Sequence, residues 1–414
     1  MRNICHYVLL CILFGGLSIC VGAEEIIAIK ADRVDTVTSG VIENGIIVIA
    51  DGKIKAIGND VEIPETAEIM EVPDKTIFPG LVNPSSRTGL SQPVTGGPAS
   101  NPHYRVIDEL YPYQDQYKHV LGSGFTTIGL LPGDSGIVRY YSGYGYMFGG
   151  RASPGITGQG AIIRPTGQNP QEMIVAESGF VMIYFQANDK VKNIIKSALD
   201  SAKSKTDRGE AVPALRPAGI LPAERNQGQD ALATALQGKV PTFVLCNLPG
   251  EMLHLFKLLE PYDKMKLVLV AGTETHLIAK ELAKRKIPVI LPAQIDFESN
   301  TLNRINVPRM LAEAEVKIAL KPEFDNIGGH EDFLRKVAEL VKSGLDRQTA
   351  KKAITINPAE MMAVDYRLGS LDVGKDANLL ILSGDPLDVG TKIDKVMIEG
   401  KIVYEAPWGE TTDE

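Results

Sequence analysis

The rhythm of apolar and polar positions changes twice along this chain. From residue 25 to 78, short apolar runs alternate with turns. Ile26 to Lys30 is the first run, and Ile46 to Ala50 and Lys53 to Ile57 flank Asp51-Gly52. Asp-Gly between two β-rich runs predicts a hairpin, because a type I′ turn needs positive φ at both central residues. Glu68 to Val72 continues the strand pattern and stops at Pro73. The far end mirrors this. Ala377 to Leu382 reads as a buried strand, and Lys395 to Ile398 and Lys401 to Tyr404 flank Glu399-Gly400. Neither end carries a core of its own. Residues 24–78 and 366–408 are therefore expected to combine into one small composite β-sandwich.

Between the two ends, short apolar strands alternate with helical stretches. Strands are predicted at Thr126 to Leu131, Val181 to Phe185, Thr242 to Cys246, Leu267 to Val270, Val289 to Leu291 and Val316 to Leu320. Lys190 to Lys203, Glu251 to Leu259, His276 to Arg285 and Glu331 to Lys342 read as helices between or after them. Such alternation predicts an α/β fold, a (β/α)8 TIM-like barrel over residues 79–365. An insertion at about 89–165 breaks the pattern. Eight of the 13 tyrosines fall between Tyr104 and Tyr146, and the run around Tyr144 and Tyr146 is rich in glycine. Tyrosine supplies a flat face and a hydroxyl, so this stretch is expected to cap the barrel mouth and touch a ligand there.

Charge narrows the function classes. The net charge of −8 gives no electrostatic case for nucleic acid or an anionic membrane surface. Met1 to Ala23 has a positive start at Arg2, an apolar stretch from Tyr7 to Ile19 and small residues at Val21-Gly22-Ala23, the pattern of a secretory signal. Cleavage there would remove three of the four cysteines and leave Cys246 alone. That suits an exported, periplasmic or secreted protein of a bacterial-type envelope, and the alternative is an uncleaved anchor.

Isolated motifs carry little. Gly133-Asp134-Ser135-Gly136 matches a serine-protease tetrapeptide, but nothing in the sequence positions a base and an acid for it. Gly158-Gln159-Gly160 opens like a dinucleotide fingerprint, yet Ile163 stands at the third glycine position. Cys246 reads as a small buried strand residue unless it reaches the mouth. None of His103, His119, His254, His276 and His330 stands beside another at a strand end.

Longer segments are more informative. Pro79-Gly80-Leu81-Val82-Asn83-Pro84-Ser85-Ser86-Arg87 follows the frame Pro-Gly-Leu-Ile-Asp-x-His-x-His. Gly45 to Val82, Gly122 to Gly133, Ile156 to Pro165 and above all Ala353 to Tyr404 follow the same family's pattern. Together they resemble the imidazolonepropionase-like and dihydroorotase-like branch of the amidohydrolase superfamily. The resemblance implies a barrel with a composite sheet domain and hydrolysis of amide or cyclic C–N bonds other than peptide bonds. It also implies zinc or another divalent metal at the strand ends, which polarises the carbonyl and activates water.

Carried over position by position, every histidine slot is empty and only an acid at the last slot survives. The two strand histidines, which share a face at a spacing of two, fall on Ser85 and Arg87. The bridging lysine falls near Arg164, the next histidines on Leu245 or Cys246 and on Ala271, and the terminal aspartate on Glu323 or Asp325. The sequence therefore leads us to expect Glu323 and Asp325 as catalytic acids, and Arg87, Arg164, Ser85, Tyr144 and Tyr146 as binding residues. No metal or other cofactor is expected. The alternative to a hydrolase is a non-catalytic relative that binds a small anionic molecule or a protein partner. A homo-oligomer is compatible with either reading.

Overall fold

A computed structural model describes residues 25–90, 99–132, 154–208, 227–298 and 301–407. Strand β1 (Ile26–Asp35) pairs antiparallel with β2 (Val41–Ala50), which turns back into β3 (Lys53–Gly58). The turn is the one the sequence demands: Asp51 has φ 52° and Gly52 φ 71°. Strand β4 (Glu68–Pro79) lies parallel to β1 and feeds β5 (Leu81–Ser86) through Gly80. A side chain at Gly80 would strike Thr126, so a glycine is required where the chain leaves one sheet for the next.

Among the described residues, eleven strands follow β4 before the chain returns. They are β5, β6 (Ala99–Ser100), β7 (Phe125–Leu130), β8 (Gly155–Ile163), β9 (Ile174–Tyr184), β10 (Pro241–Leu245), β11 (Lys266–Val270), β12 (Val289–Pro292), β13 (Asp296–Phe297), β14 (Arg304–Ile305) and β15 (Ile318–Lys321). Strands β16 (Leu379–Leu382), β17 (Ile393–Ile398) and β18 (Lys401–Glu405) then rejoin the first sheet, whose order is β18-β17-β16-β4-β1-β2-β3. Strands from both chain ends thus lie in one continuous seven-stranded sheet, with β16 against β4.

The second sheet runs β5-β7-β8-β9-β10-β11-β12-β15, and its two ends, β5 and β15, lie in contact, so the path curls into a nearly closed eight-stranded barrel. One strand departs from the expected alternation. β8 runs antiparallel to both β7 and β9. The reason is length. A parallel connection needs a crossover of roughly a dozen or more residues, and only residues 164–173 lie between β8 and β9.

The lumen is apolar. Val82, Ile162, Phe180, Phe243, Val268 and Ala319 belong to one buried cluster, with Ala359, Met361 and Met362 beside them. The Phe180 and Phe243 rings stack with centroids 4.1 Å apart. Burial of each such ring contributes roughly 1.5–3 kcal/mol. Gly160 belongs to this packing, since a Cβ there would lie inside the Phe180 ring. Outside, the helix Asp189–Asp207 buries Val191, Ile195, Leu199 and Ala202, the spacing of one helical face turned to the strands.

Candidate functional site

The C-terminal ends of the parallel strands define the barrel mouth, where folds of this type carry chemistry. At the end of β5, Asn83 accepts a bond from the Ser85 amide at 3.1 Å and bends the strand. Ser85, one of the expected binding residues, is buried there. The next residues are tied to the far side of the barrel seam. The Asp325 carboxylate accepts from the Ser86 hydroxyl at 2.7 Å, the Arg87 amide at 2.5 Å and the Thr88 hydroxyl at 3.0 Å. Asp325 is therefore a stitch between the β15 end and the β5 end. His330 stands behind it: its Nδ1 lies 2.6 Å from the Asn326 carbonyl, which accepts only, so that nitrogen carries the proton. Its buried Nε2 faces Asp325 at 3.7 Å without forming a hydrogen bond.

Arg87 stays at the mouth, but its charge is matched. Its guanidinium donates to the Leu131 carbonyl at 3.0 Å and pairs with Glu109 at 3.3 Å. Glu323 instead pairs with Lys336 at 3.4 Å. Next to it stands a residue that the sequence reading missed. Asp296, just beyond β12, is 8% exposed, and its carboxyl is pushed up to about 7 by burial and by the charge of Glu323, against a bond from Gln294 at 2.7 Å. Lys321, the last residue of β15, was also missed. Burial pushes its amine down, against the attraction of Asp325 and Glu323. The alternation of β15 gave a signal for Lys321, since Ala319 faces the lumen and Leu320 the outer layer. Asp296 follows a loop, and no periodicity marks it.

Other expectations are corrected. Arg164 does not share the mouth with Arg87. Because β8 runs antiparallel, its last residue Ile163 sits beside Ile174 at the start of β9, and the next residue emerges at the opposite end of the barrel. There Arg164 pairs with Glu399, which also bonds Arg367 at 3.1 Å. Arg87, Arg164 and Glu323 thus do not converge. Cys246 packs into the outer layer, fully buried, where desolvation pushes its thiol up and disfavours the thiolate. The lumen-facing residues of β11 are Val268 and Val270, so the slot assigned to Ala271 belongs to Val270. Tyr144, Tyr146 and the Gly133–Gly136 motif lie outside the described residues.

A divalent metal at these strand ends would need several lone-pair donors converging on one point. Leu245 and Val270 are the lumen-facing residues where β10 and β11 end, and neither has a lone pair to give. Among the described residues, no three His, Cys, Asp or Glu side chains are placed to hold a metal ion. The donor set among the described residues does not fit the group. The mouth instead offers acid–base groups: Glu323, whose charge acts on both Asp296 and Lys321, and the Arg87–Glu109 pair.

Comparison with known proteins agrees with this frame. Residues 244–403 match the Amidohydrolase family. The chain is 23% identical over 410 residues to Amidohydrolase tasK of Hapsidospora irregularis, covering 88% of this chain and 40% of that protein. A shorter stretch of 75 residues is 39% identical to adenine deaminase of Clostridium botulinum, covering 18% of this chain and 12% of that enzyme. The chain thus spans less than half the length of these curated relatives. Among solved structures, an amidohydrolase from Thermotoga maritima MSB8 has the same fold with a TM-score of 0.75 at 24% identity, over 92% of this chain and all of that one. A zinc-bound adenosine deaminase from Xanthomonas campestris follows it at a TM-score of 0.51 and 16% identity, over 91% of this chain and 92% of that one. Residues 244–403 thus match the Amidohydrolase family, and the barrel fold is shared with a solved amidohydrolase.

Proposed function

We propose that this protein is a divergent member of the imidazolonepropionase-like and dihydroorotase-like branch, one that hydrolyses a C–N bond of a small amide, cyclic amide or amidine. Its acid–base work falls to Asp296 and Glu323 at the mouth rather than to a metal centre. The relatives named deaminase and amidohydrolase support the reaction class, and the poise of Asp296 carries the assignment. A carboxyl held at about 7 can take a proton from water and return it to a leaving nitrogen near neutral pH. Burial sets that poise, and the charge of Glu323 adds to it. Asp325, held by three donors, orients the β5 end and takes no part in proton transfer.

The test is a screen of amides, cyclic amides and amidines for released ammonia or opened rings, with the protein prepared in chelator. Asp296→Asn should lower the rate by about 10²–10⁴-fold. Glu323→Gln should move the acid limb of the pH–rate profile slightly to lower pH, because burial still raises Asp296 but the added charge is gone. Activity that survives in Asp296→Asn sinks the assignment, and activity that appears only with added zinc or manganese sinks the metal-free reading.

A second reading is favoured by the apolar closure at Leu245 and Val270. In it the protein binds a small anionic ligand at Arg87 without turning it over. Both readings place the protein outside the cytoplasm, supported by the pattern of Met1 to Ala23. A mature chain beginning at Glu24, read by N-terminal sequencing, is the expected result.

A further inference from the structure

Lys321 is hard to explain as a structural residue. It occupies the next inward position of β15 after Ala319, at the mouth, with Pro292 of β12 as its register partner. Its amine donates one bond, to the Pro322 carbonyl at 3.3 Å, and forms no ion pair among the described residues. The two acids that follow it in the chain are engaged elsewhere, Glu323 by Lys336 and Asp325 by the β5 end. Lys351 shows what a structural buried lysine looks like in the same molecule. Its amine sits between Asp35 and Asp385, 2.7 Å from each. Lys321 is only half-buried, so reagents can reach it, and an ammonium partly withdrawn from water without such partners is disfavoured against the neutral amine, which is a nucleophile.

We infer that Lys321 is a covalent amine of the barrel mouth, which condenses reversibly with an aldehyde or ketone to form a Schiff base. The Nζ lone pair attacks the carbonyl carbon, a C–N bond forms, and the C=O π pair moves to oxygen. A proton passes from nitrogen to that oxygen through solvent and gives the carbinolamine. Protonation of the hydroxyl expels water as the nitrogen lone pair forms the iminium. Water reverses each step, so no oxidant or reductant is consumed. The inference shares the mouth with the proposed hydrolysis but does not need it, because adduct formation is read without turnover.

The experiment uses the full-length protein with limiting acetaldehyde and sodium cyanoborohydride at pH 7, which reduces any imine to a stable secondary amine. Peptide mapping then compares Lys321 with Lys118, whose side chain is 84% exposed. A lysine whose pKa is lowered carries more free amine at neutral pH, so Lys321 should be labelled faster than Lys118. In Lys321→Arg the label at 321 should vanish while the surface lysines react as before. Labelling of Lys321 in the wild type at or below the rate of Lys118 overturns the inference, and that comparison does not depend on the variant folding. Loss of hydrolysis with labelling intact would strike the proposed function alone.

Discussion

The barrel mouth and the junction between the two sheets use the same kinds of charged residue in opposite ways. At the junction every named charge has a partner at close range. Lys351 lies between Asp35 and Asp385, and Asp385 also bonds Arg347 at 2.6 Å. Arg367 joins Asp376 at 2.6 Å to Glu399 at 3.1 Å, and Lys53 meets Asp376 at 2.8 Å. At the mouth, Lys321 has no ion pair among the described residues, and Asp296 holds its proton to about 7. Pairing offsets desolvation and fixes a charge in place. Its absence leaves groups whose proton affinity is displaced, and displaced affinity is what proton transfer and nucleophilic attack require.

The two lysines give the largest test of this contrast. Lys351→Met strands two buried carboxylates, and removing one partner of such a group costs about 3–5 kcal/mol. Urea denaturation should show that loss. Lys321→Met at the mouth removes a poorly compensated amine and, among the described residues, leaves no stranded partner within ion-pair distance. Its midpoint should stay where it was or rise. Equal losses in the two variants would erase the distinction between the two regions.

Asp296 makes the next largest test, and its sign is opposite to that of an ion-paired carboxylate. Its folded pKa, about 7, lies above the value near 4 of an unfolded aspartate. Between those values the folded state binds more protons than the unfolded one, so stability falls as pH rises through the window. The change is bounded by about 4 kcal/mol, three units at 1.36 kcal/mol each. Asp296→Asn should flatten the stability profile between about pH 4 and 7 and leave the variant more stable than wild type at pH 8. A wild-type profile that rises across the same window would mean that Asp296 is ionised and paired.

How far the sequence reveals this molecule depends on the range of the signal. The hairpins at Asp51-Gly52 and Glu399-Gly400 are local, and their turn chemistry reads directly from the residues. The barrel strands are legible because burial on both faces leaves continuous apolar runs. Direction is not local. Nothing in Ile156 to Pro165 marks β8 as antiparallel, and only the short connection to β9 hints at it. That single reversal sends Arg164 to the junction, although Arg164 and Arg87 occupy comparable positions in the family frame. Glu323 and Asp325 are both found by frame, yet their roles separate only when the seam between β15 and β5 is closed. Asp296 leaves no trace in the sequence because its proton affinity comes from burial and from Glu323, two strands' ends brought together by folding.

The two arginines supply the smallest effect and the finest discrimination. Arg164→Ala removes one ion pair to Glu399, which Arg367 still holds, so its cost should be about 1 kcal/mol or less. It should leave ligand binding at the mouth untouched. Arg87→Ala removes the partner of Glu109 and the bond to the Leu131 carbonyl. If the mouth takes an anion through Arg87, calorimetric titration with small dicarboxylates should lose its signal in Arg87→Ala and keep it in Arg164→Ala. Binding that survives in Arg87→Ala would assign that guanidinium to holding Glu109 in place. Arg87 would then belong with Arg164 among the paired, structural charges, although it sits at the mouth, and the line between the two regions would have to be drawn by pairing rather than by position.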